Sequence, residues 1–188
     1  MTLQRGDRLL IVGPSGCGKS TLLRAIAGIW PYGAGAIGVA ANANTLFLPQ
    51  RSYIPIGTLR GVELPEPGVG IQRSAADASA GKLPPEAPAA LAGYLRQLEP
   101  SPVAGRATAA AFARALLIRP SILFLDEATS ALDDETEQLM YCLLVDELPE
   151  VTLISVAHRS VAKYHQTCWR FSRSEDQPAR LMLSPLPA

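Results

Sequence analysis

Three observations share one reading, an α/β fold with a mostly parallel sheet. A short apolar, β-prone run, Leu9-Leu10-Ile11-Val12, stops at Gly13 and gives way to a glycine-rich turn and then a helical pattern. Two further continuous apolar runs, Ser121 to Leu125 and Val151 to Val156, each end in polar residues and lead into helix-like segments. Strands interleaved with helices form parallel sheets, and strands covered on both faces read as unbroken apolar runs. With 188 residues, 48% of them hydrophobic and 18% charged, the chain is long enough for one domain with a substantial core.

Taken in order, the first element is the one that carries chemistry. Gly13, Pro14, Ser15, Gly16, Cys17, Gly18, Lys19, Ser20 and Thr21 spell the P-loop pattern G-x-x-x-x-G-K-[ST]. Its glycines let the backbone wrap phosphates so that several N–H groups point inward. Lys19 is expected to reach the β- and γ-phosphates of a nucleotide, and the Ser20 hydroxyl to sit on Mg²⁺. Residues 19–29 then read as a helix whose N-terminus faces the anion. Cys17 lies within the loop, where it reads as a small filler ahead of a reactive thiol.

Residues 30–44 are rich in glycine and alanine and read as a loop with at most one weak strand. Thr45 to Leu48 is a candidate buried strand closed by Pro49, and Gln50 follows at its carboxyl edge, where open α/β sheets place ligand-contacting groups. Residues 61–110 differ from the rest: half of those positions are Pro, Ala or Gly, and no period is sustained beyond a short candidate helix at 89–98. Patternless stretches of this length are unusual inside compact domains. Order returns at Ala111 with a helix that ends before Pro120. The strand Ser121 to Leu125 runs into Asp126 and Glu127. The first carboxylate is placed to hold a metal and the second to polarise an attacking water. Residues 133–148 read as an amphipathic helix whose acidic first turn suits the macrodipole. His158 lies just past the strand Val151 to Val156, placed to sense a γ-phosphate, and Arg159 and Ser160 open another helix. The tail, residues 172–188, is expected to add little to the core.

Composition removes several function classes. The formal net charge is zero, which offers no electrostatic footprint for nucleic acid or an anionic membrane. No apolar run approaches the length of a membrane-spanning helix, and the first residues lack the apolar core of a secretion signal. Three cysteines without metal-type spacing argue against a disulfide framework and fit a reducing setting.

Four segments in this order go beyond a generic P-loop: GPSGCGKST at 13–21, LPQRSY at 48–53, FARALLIRPSILFLDEATSALD at 112–133 and TLISVAHR at 152–159. Together they resemble the ATP-binding domain of ABC transporters. GDRLLIVGPSG, AIAGIWPYGAGAI and LPQRSYIPIGTLR look most like the fatty-acyl and peroxisomal-type half-transporters and their bacterial peptide-uptake-type relatives. The resemblance implies a P-loop NTPase of the ABC type that uses ATP and Mg²⁺. Gly13 to Thr21 match its Walker A loop. Gln50 matches the Q-loop glutamine that touches Mg²⁺ and couples to the transmembrane partner. Asp126 and Glu127 match the Walker B aspartate and catalytic glutamate, Ser130, Ala131, Leu132 and Asp133 the D-loop, and His158 the switch histidine. It further implies a second ATP-binding domain and a transmembrane domain as partners, at the cytoplasmic face of a membrane.

Two departures stand against the pattern. The family's adenine-stacking aromatic lies well upstream of Walker A, and only twelve residues precede Gly13, so the fold reads as N-terminally truncated. The family's LSGGQ-type signature is expected just before Phe112, where the chain reads SPVAGRATAAA and only Gly105 matches. Two readings account for this, a one-base shift of reading frame first and a genuine divergent insertion second. Codons for Arg96 to Ala110 exist whose next frame reads DNWSRALSPGEQQR, and Val62 to Pro67 shift by the same base to LSYPNP. The expected organisation is therefore 1–60 and 111–171 as core, 61–110 as an irregular or frameshifted helical subdomain, and 172–188 as tail. The leading function is ATP hydrolysis coupled to transport. Its alternatives are a nucleotide-binding module without turnover and, further off, a soluble ABC-type ATPase.

Overall fold

The computed structural model describes residues 2–40, 43–51, 103–172 and 180–184. The chain divides into two units, Met1–Gln50 with Arg119–Ala188, and Arg51–Ile118. The first unit holds a sheet of six described strands: β1 (Arg8–Val12), β2 (Thr45–Leu48), β3 (Ile122–Asp126), β4 (Thr152–Val156), β5 (Thr167–Ser172) and β6 (Arg180–Ser184). Their order is β2-β3-β4-β1-β5-β6. All neighbours run parallel except β5 and β6. The mostly parallel α/β sheet expected from the apolar runs is the one observed.

The register explains why those runs are unbroken. β1 lies between β4 and β5, with Leu10 opposite Ser155 on one side and Cys168 on the other. Leu9, Leu10 and Ile11 are wholly buried, so neither face tolerates a polar residue. Alternation then sorts the side chains. Leu9, Ile11, Phe124, Ile154 and Val156 share one core face with Leu23 of the helix α1 (Lys19–Ile26). Leu123 and Leu153 point the other way, towards Leu144, Val145 and Leu148, which line the same narrow crevice.

α1 stops three residues short of the expected 19–29, and its cap gives the reason. Gly28 has φ +74, its N–H donates to Ala25 O at 3.1 Å, and Ile29 N–H donates to Arg24 O at 2.9 Å. That pair of bonds is a Schellman ending, which needs the left-handed conformation glycine adopts at little cost. The acidic helix is α3 (Asp134–Glu147). Asp133 is its cap, accepting from Thr136 N–H at 2.9 Å, and that bond holds the Asp133 carboxyl below the usual aspartate range.

Four expectations change. The helix expected from Ala111 begins earlier: α2 spans Val103–Ile118 in the second unit, because runs of alanine favour helix even where no apolar period marks it. Arg159–Tyr164 is a 3-10 helix, not an α-helix. Six residues are all the chain has there before Gln166 N–H must reach Arg8 O at 3.0 Å and start β5. The tail does join the core sheet, since Arg180–Ser184 pairs antiparallel with β5. Strand β5 itself went unread, because its TCWRFS mixes apolar and polar positions, as a strand near a sheet edge does. β2 is likewise half-covered and lies at the edge of the described sheet, where the sequence offers a candidate buried strand. The candidate helix at 89–98 and the other readings between 52 and 102 lie outside the described residues.

Candidate functional site

Parallel strands deliver their carboxyl ends to one edge, so the segments after β1, β2, β3 and β4 emerge together. These segments carry the P-loop, Gln50, Asp126–Glu127 and His158.

The P-loop is shaped by its glycines. A Cβ on Gly13 would stand 2.7 Å from Phe171 Cβ and 3.1 Å from Cys17 Sγ, so close approach to β5 excludes any other residue. Gly16 and Gly18 have φ +71 and +99 with open space around them, so their need is conformational. Gly18 is the N-cap of α1 and uses no side-chain cap, which leaves the N–H groups of the first turn aimed into the loop. Lys19 Nζ donates to Gly13 O and Pro14 O, each at 3.0 Å. Two of its three N–H donors thus steer the ammonium over the loop. Pro14, Ser15, Gly16 and Thr21 are exposed, while Cys17 is buried beneath the loop, as a filler would be.

Asp126 closes β3 and is 1% exposed. Ser20 Oγ donates to its Oδ1 at 2.5 Å, and Arg24 Nη2 donates to its Oδ2 at 3.3 Å. Ser20 and Arg24 are one helical turn apart on α1, so the helix grips both oxygens of one carboxylate. A buried charge without such partners would be costly. Arg24 was missed in the sequence, although its i,i+4 relation to Ser20 is a signal that was there to read.

Glu127 differs from its neighbour. It is half-buried and has φ +50, which a non-glycine residue adopts at a cost of about 1 kcal/mol. Glu127 N–H donates to Val156 O at 2.9 Å, tying it to the end of β4. Gln50 Nε2 donates to Glu127 Oε2 at 3.0 Å, which brings the segments after β2 and β3 into contact. In the segment after Glu127, Ser130 N–H donates to Glu127 O at 3.0 Å and Leu132 N–H to Thr129 O at 2.9 Å. Ser130 and Ala131 are exposed, Leu132 is half-buried, and Asp133 serves as a helix cap.

His158 is exposed and precedes the 3-10 helix. It lines an open cleft of about 420 Å³ together with Gly13, Pro14, Arg159, Arg170 and Phe171. Arg159 and Arg170 were not read as site residues from the sequence, because nothing local marks two arginines eleven positions apart as neighbours. The two guanidinium groups give the cleft a cationic wall beside the P-loop, which suits phosphate. No group of three or more His, Cys, Asp or Glu side chains able to hold a metal occurs among the described residues. Ser20 and Asp126 nevertheless offer two hard oxygens in contact at the edge of an anion site. That suits Mg²⁺, which takes one or two protein oxygens and completes its shell with water and phosphate.

Comparison with known proteins gives this arrangement a family. Residues 1–60 match the family model described as ABC transporter. The chain is 41% identical over 175 residues to an uncharacterized ABC transporter ATP-binding protein of Haemophilus influenzae, covering 85% of this chain and 27% of that protein. It is 32% identical over 194 residues to ABC transporter D family member 1 of Dictyostelium discoideum, covering 94% of this chain and 26% of the relative. The chain thus spans about a quarter of the length of these curated relatives. Among solved structures, RNase-L Inhibitor superposes with a TM-score of 0.71 at 20% identity over 97% of this chain and 35% of that one. A transporter assigned to the metal-chelate ABC type, in an inward-facing conformation, superposes with a TM-score of 0.64 at 19% identity over 100% of this chain and 89% of that one. By its sequence relatives the chain belongs to the ABC transporter ATP-binding proteins, and the two solved structures share its fold.

Proposed function

We propose that this chain is the ATP-binding part of a membrane transporter, in which Mg-ATP hydrolysis at the P-loop edge drives transport. The observation that carries the reading is the meeting of groups from separate elements of the fold: Ser20 on Asp126 at 2.5 Å and Gln50 on Glu127 at 3.0 Å. The N–H groups of residues 16–20 and the Lys19 ammonium hold the phosphate oxygens. Ser20 and Asp126 would hold Mg²⁺, which when bound would neutralise charge on the phosphates. Glu127 takes the proton of the attacking water, with Gln50 fixing one of its oxygens. His158 donates to a γ-phosphate oxygen as charge builds there.

The core comprises 1–60 and 111–171 together with the tail strand Arg180–Ser184, and 61–110 is the segment where the family pattern is interrupted. A second ATP-binding domain and a transmembrane domain, on the same or another chain, complete the machine at the cytoplasmic face. One fact supports the membrane partner: relatives include D family transporters and an aliphatic sulfonates import ATP-binding protein. Nucleic acid is not expected as a partner of a chain with zero net charge.

The test is ATP turnover. The expected result is Mg-dependent hydrolysis that falls at least about a hundredfold in Glu127→Gln while ATP binding persists. The segment SPVAGRATAAA, which lacks the family signature, favours a second reading as a nucleotide-binding module without turnover. ATP binding with no Glu127-dependent hydrolysis would establish that second reading in place of the first.

A further inference from the structure

Below the loop that follows β3 lies a carboxylate that none of these steps uses. Glu137 sits in the first turn of α3 and is 6% exposed, whereas Asp134 and Glu135 in the same turn are exposed. An acidic first turn is ordinary electrostatics for exposed residues. A buried carboxylate is costly unless its oxygens are satisfied.

Its oxygens are satisfied by two different segments. Thr129 Oγ1 donates to Glu137 Oε1 at 2.6 Å, and Ser160 Oγ donates to Glu137 Oε2 at 2.8 Å. Thr129 lies two residues past Glu127, and Ser160 two residues past His158. One carboxylate therefore spans the segment that carries Glu127 and the segment that carries His158. The same two segments are joined a second time by Glu127 N–H on Val156 O at 2.9 Å. Tyr141, buried on the same helix, has its pKa pushed up by that burial and by the Glu137 charge, so its phenol stays protonated.

We propose that Glu137 is a positioning residue for ATP hydrolysis, holding Glu127 and His158 in register by its paired bonds to Thr129 and Ser160. The proposal rests on the roles given to Glu127 and His158 above. Hydrogen bonds to a charged acceptor at these lengths are the strong kind, and a fixed carboxylate transmits displacement from one segment to the other.

The cleanest variant is Ser160→Ala, because Ser160 is exposed and its loss leaves no cavity. Expected is a fall in kcat of about three- to tenfold, with KM for ATP within about twofold of wild type. Glu137→Gln keeps most of kcat, since its amide accepts from Thr129 and donates to the Ser160 hydroxyl. Glu137→Ala and the Glu137→Ala/Ser160→Ala double variant fall equally, because both break the same link. A readout that needs no turnover is amide hydrogen exchange at Ser130 and Leu132, whose N–H groups bond Glu127 O and Thr129 O. Ser160→Ala is expected to speed exchange at both about tenfold, acting through Glu137. Wild-type exchange at Ser130 and Leu132 in Ser160→Ala would overturn the proposal, as would a kcat in Glu137→Gln no better than in Glu137→Ala. A wild-type chain without hydrolysis would overturn the functional reading alone, since exchange still decides whether the link exists.

Discussion

The loop after β1 and the loop after β3 leave the same edge of the sheet and are made of different materials. The first works through its backbone. Gly13 touches β5, Gly16 and Gly18 turn the chain through positive φ, and most of the side chains of 14–21 lie exposed or half-exposed. The second works through side chains. Asp126 is gripped by Ser20 and Arg24, Glu127 is met by Gln50, and Thr129 is held by Glu137. A backbone-made site depends on a few local conformations. A side-chain-made site depends on what several distant elements place around it, and it inherits the sensitivities of its buried neighbours.

The largest expected difference between them is in acid. His165 is buried at the end of the 3-10 helix, with its ring against Tyr141 and Nδ1 2.9 Å from Val161 O. Burial first, and the Arg8 charge with it, pull its pKa from 6.5 to about 4, against the opposing pull of the Val161 bond. The folded state keeps this imidazole neutral where the unfolded chain protonates it. The stabilisation is complete above about pH 6.5 and drains away as pH falls toward 4, by on the order of 3 kcal/mol. Urea unfolding midpoints followed from about pH 7 to about pH 4.5 should show that slope, and His165→Phe should flatten it. An unchanged slope would remove the buried histidine from the account of the side-chain-built loop.

Next in size is the backbone-built loop. Gly13→Ala places a methyl 2.7 Å from Phe171 Cβ, and the backbone there has little freedom to retreat. The expected cost is about 2 kcal/mol, with a fall in melting temperature of a few degrees and loss of tight nucleotide binding. Calorimetry together with a fluorescent nucleotide titration would measure both. A Gly13→Ala variant that melts and binds as wild type would mean that the P-loop is not held against β5.

The smallest effect sharpens the contrast at Glu127. Its φ of +50 favours glycine, so Glu127→Gly should be more stable than Glu127→Ala by about 1 kcal/mol, although neither should hydrolyse ATP. Equal melting temperatures for the two would show that the loop relaxes once the carboxylate is gone, and that Gln50 and the side chain together impose the strain.

These contrasts explain which parts were legible beforehand. The unbroken apolar runs became β1, β3 and β4, because strands covered on both faces leave little room for polar residues. Strands β5 and β6 were not read, since a strand near a sheet edge is defined by its partner more than by its composition. Helix α2 was read short at its start, where alanine gives propensity without a period. In the site, the P-loop, Gln50, Asp126, Glu127 and His158 were all named from local context. Arg24, Arg159, Arg170, Glu137 and Ser160 were not, because each acquires its meaning from a neighbour distant in the chain or from a helical turn left unread.

The sequence by itself determined the parallel sheet, the phosphate-wrapping loop and the positions of the acidic pair, since each is encoded within a dozen residues by glycine spacing or continuous hydrophobicity. Tertiary structure alone decided that Ser20 and Arg24 share Asp126, that Gln50 meets Glu127, and that Glu137 links Thr129 to Ser160. Those contacts join residues brought together only by the strand order β2-β3-β4-β1-β5-β6 and by the helices packed on it. The reason is physical. Backbone conformation and burial are local enough to leave a pattern in composition, whereas a hydrogen bond between distant side chains depends on a register that no single segment contains.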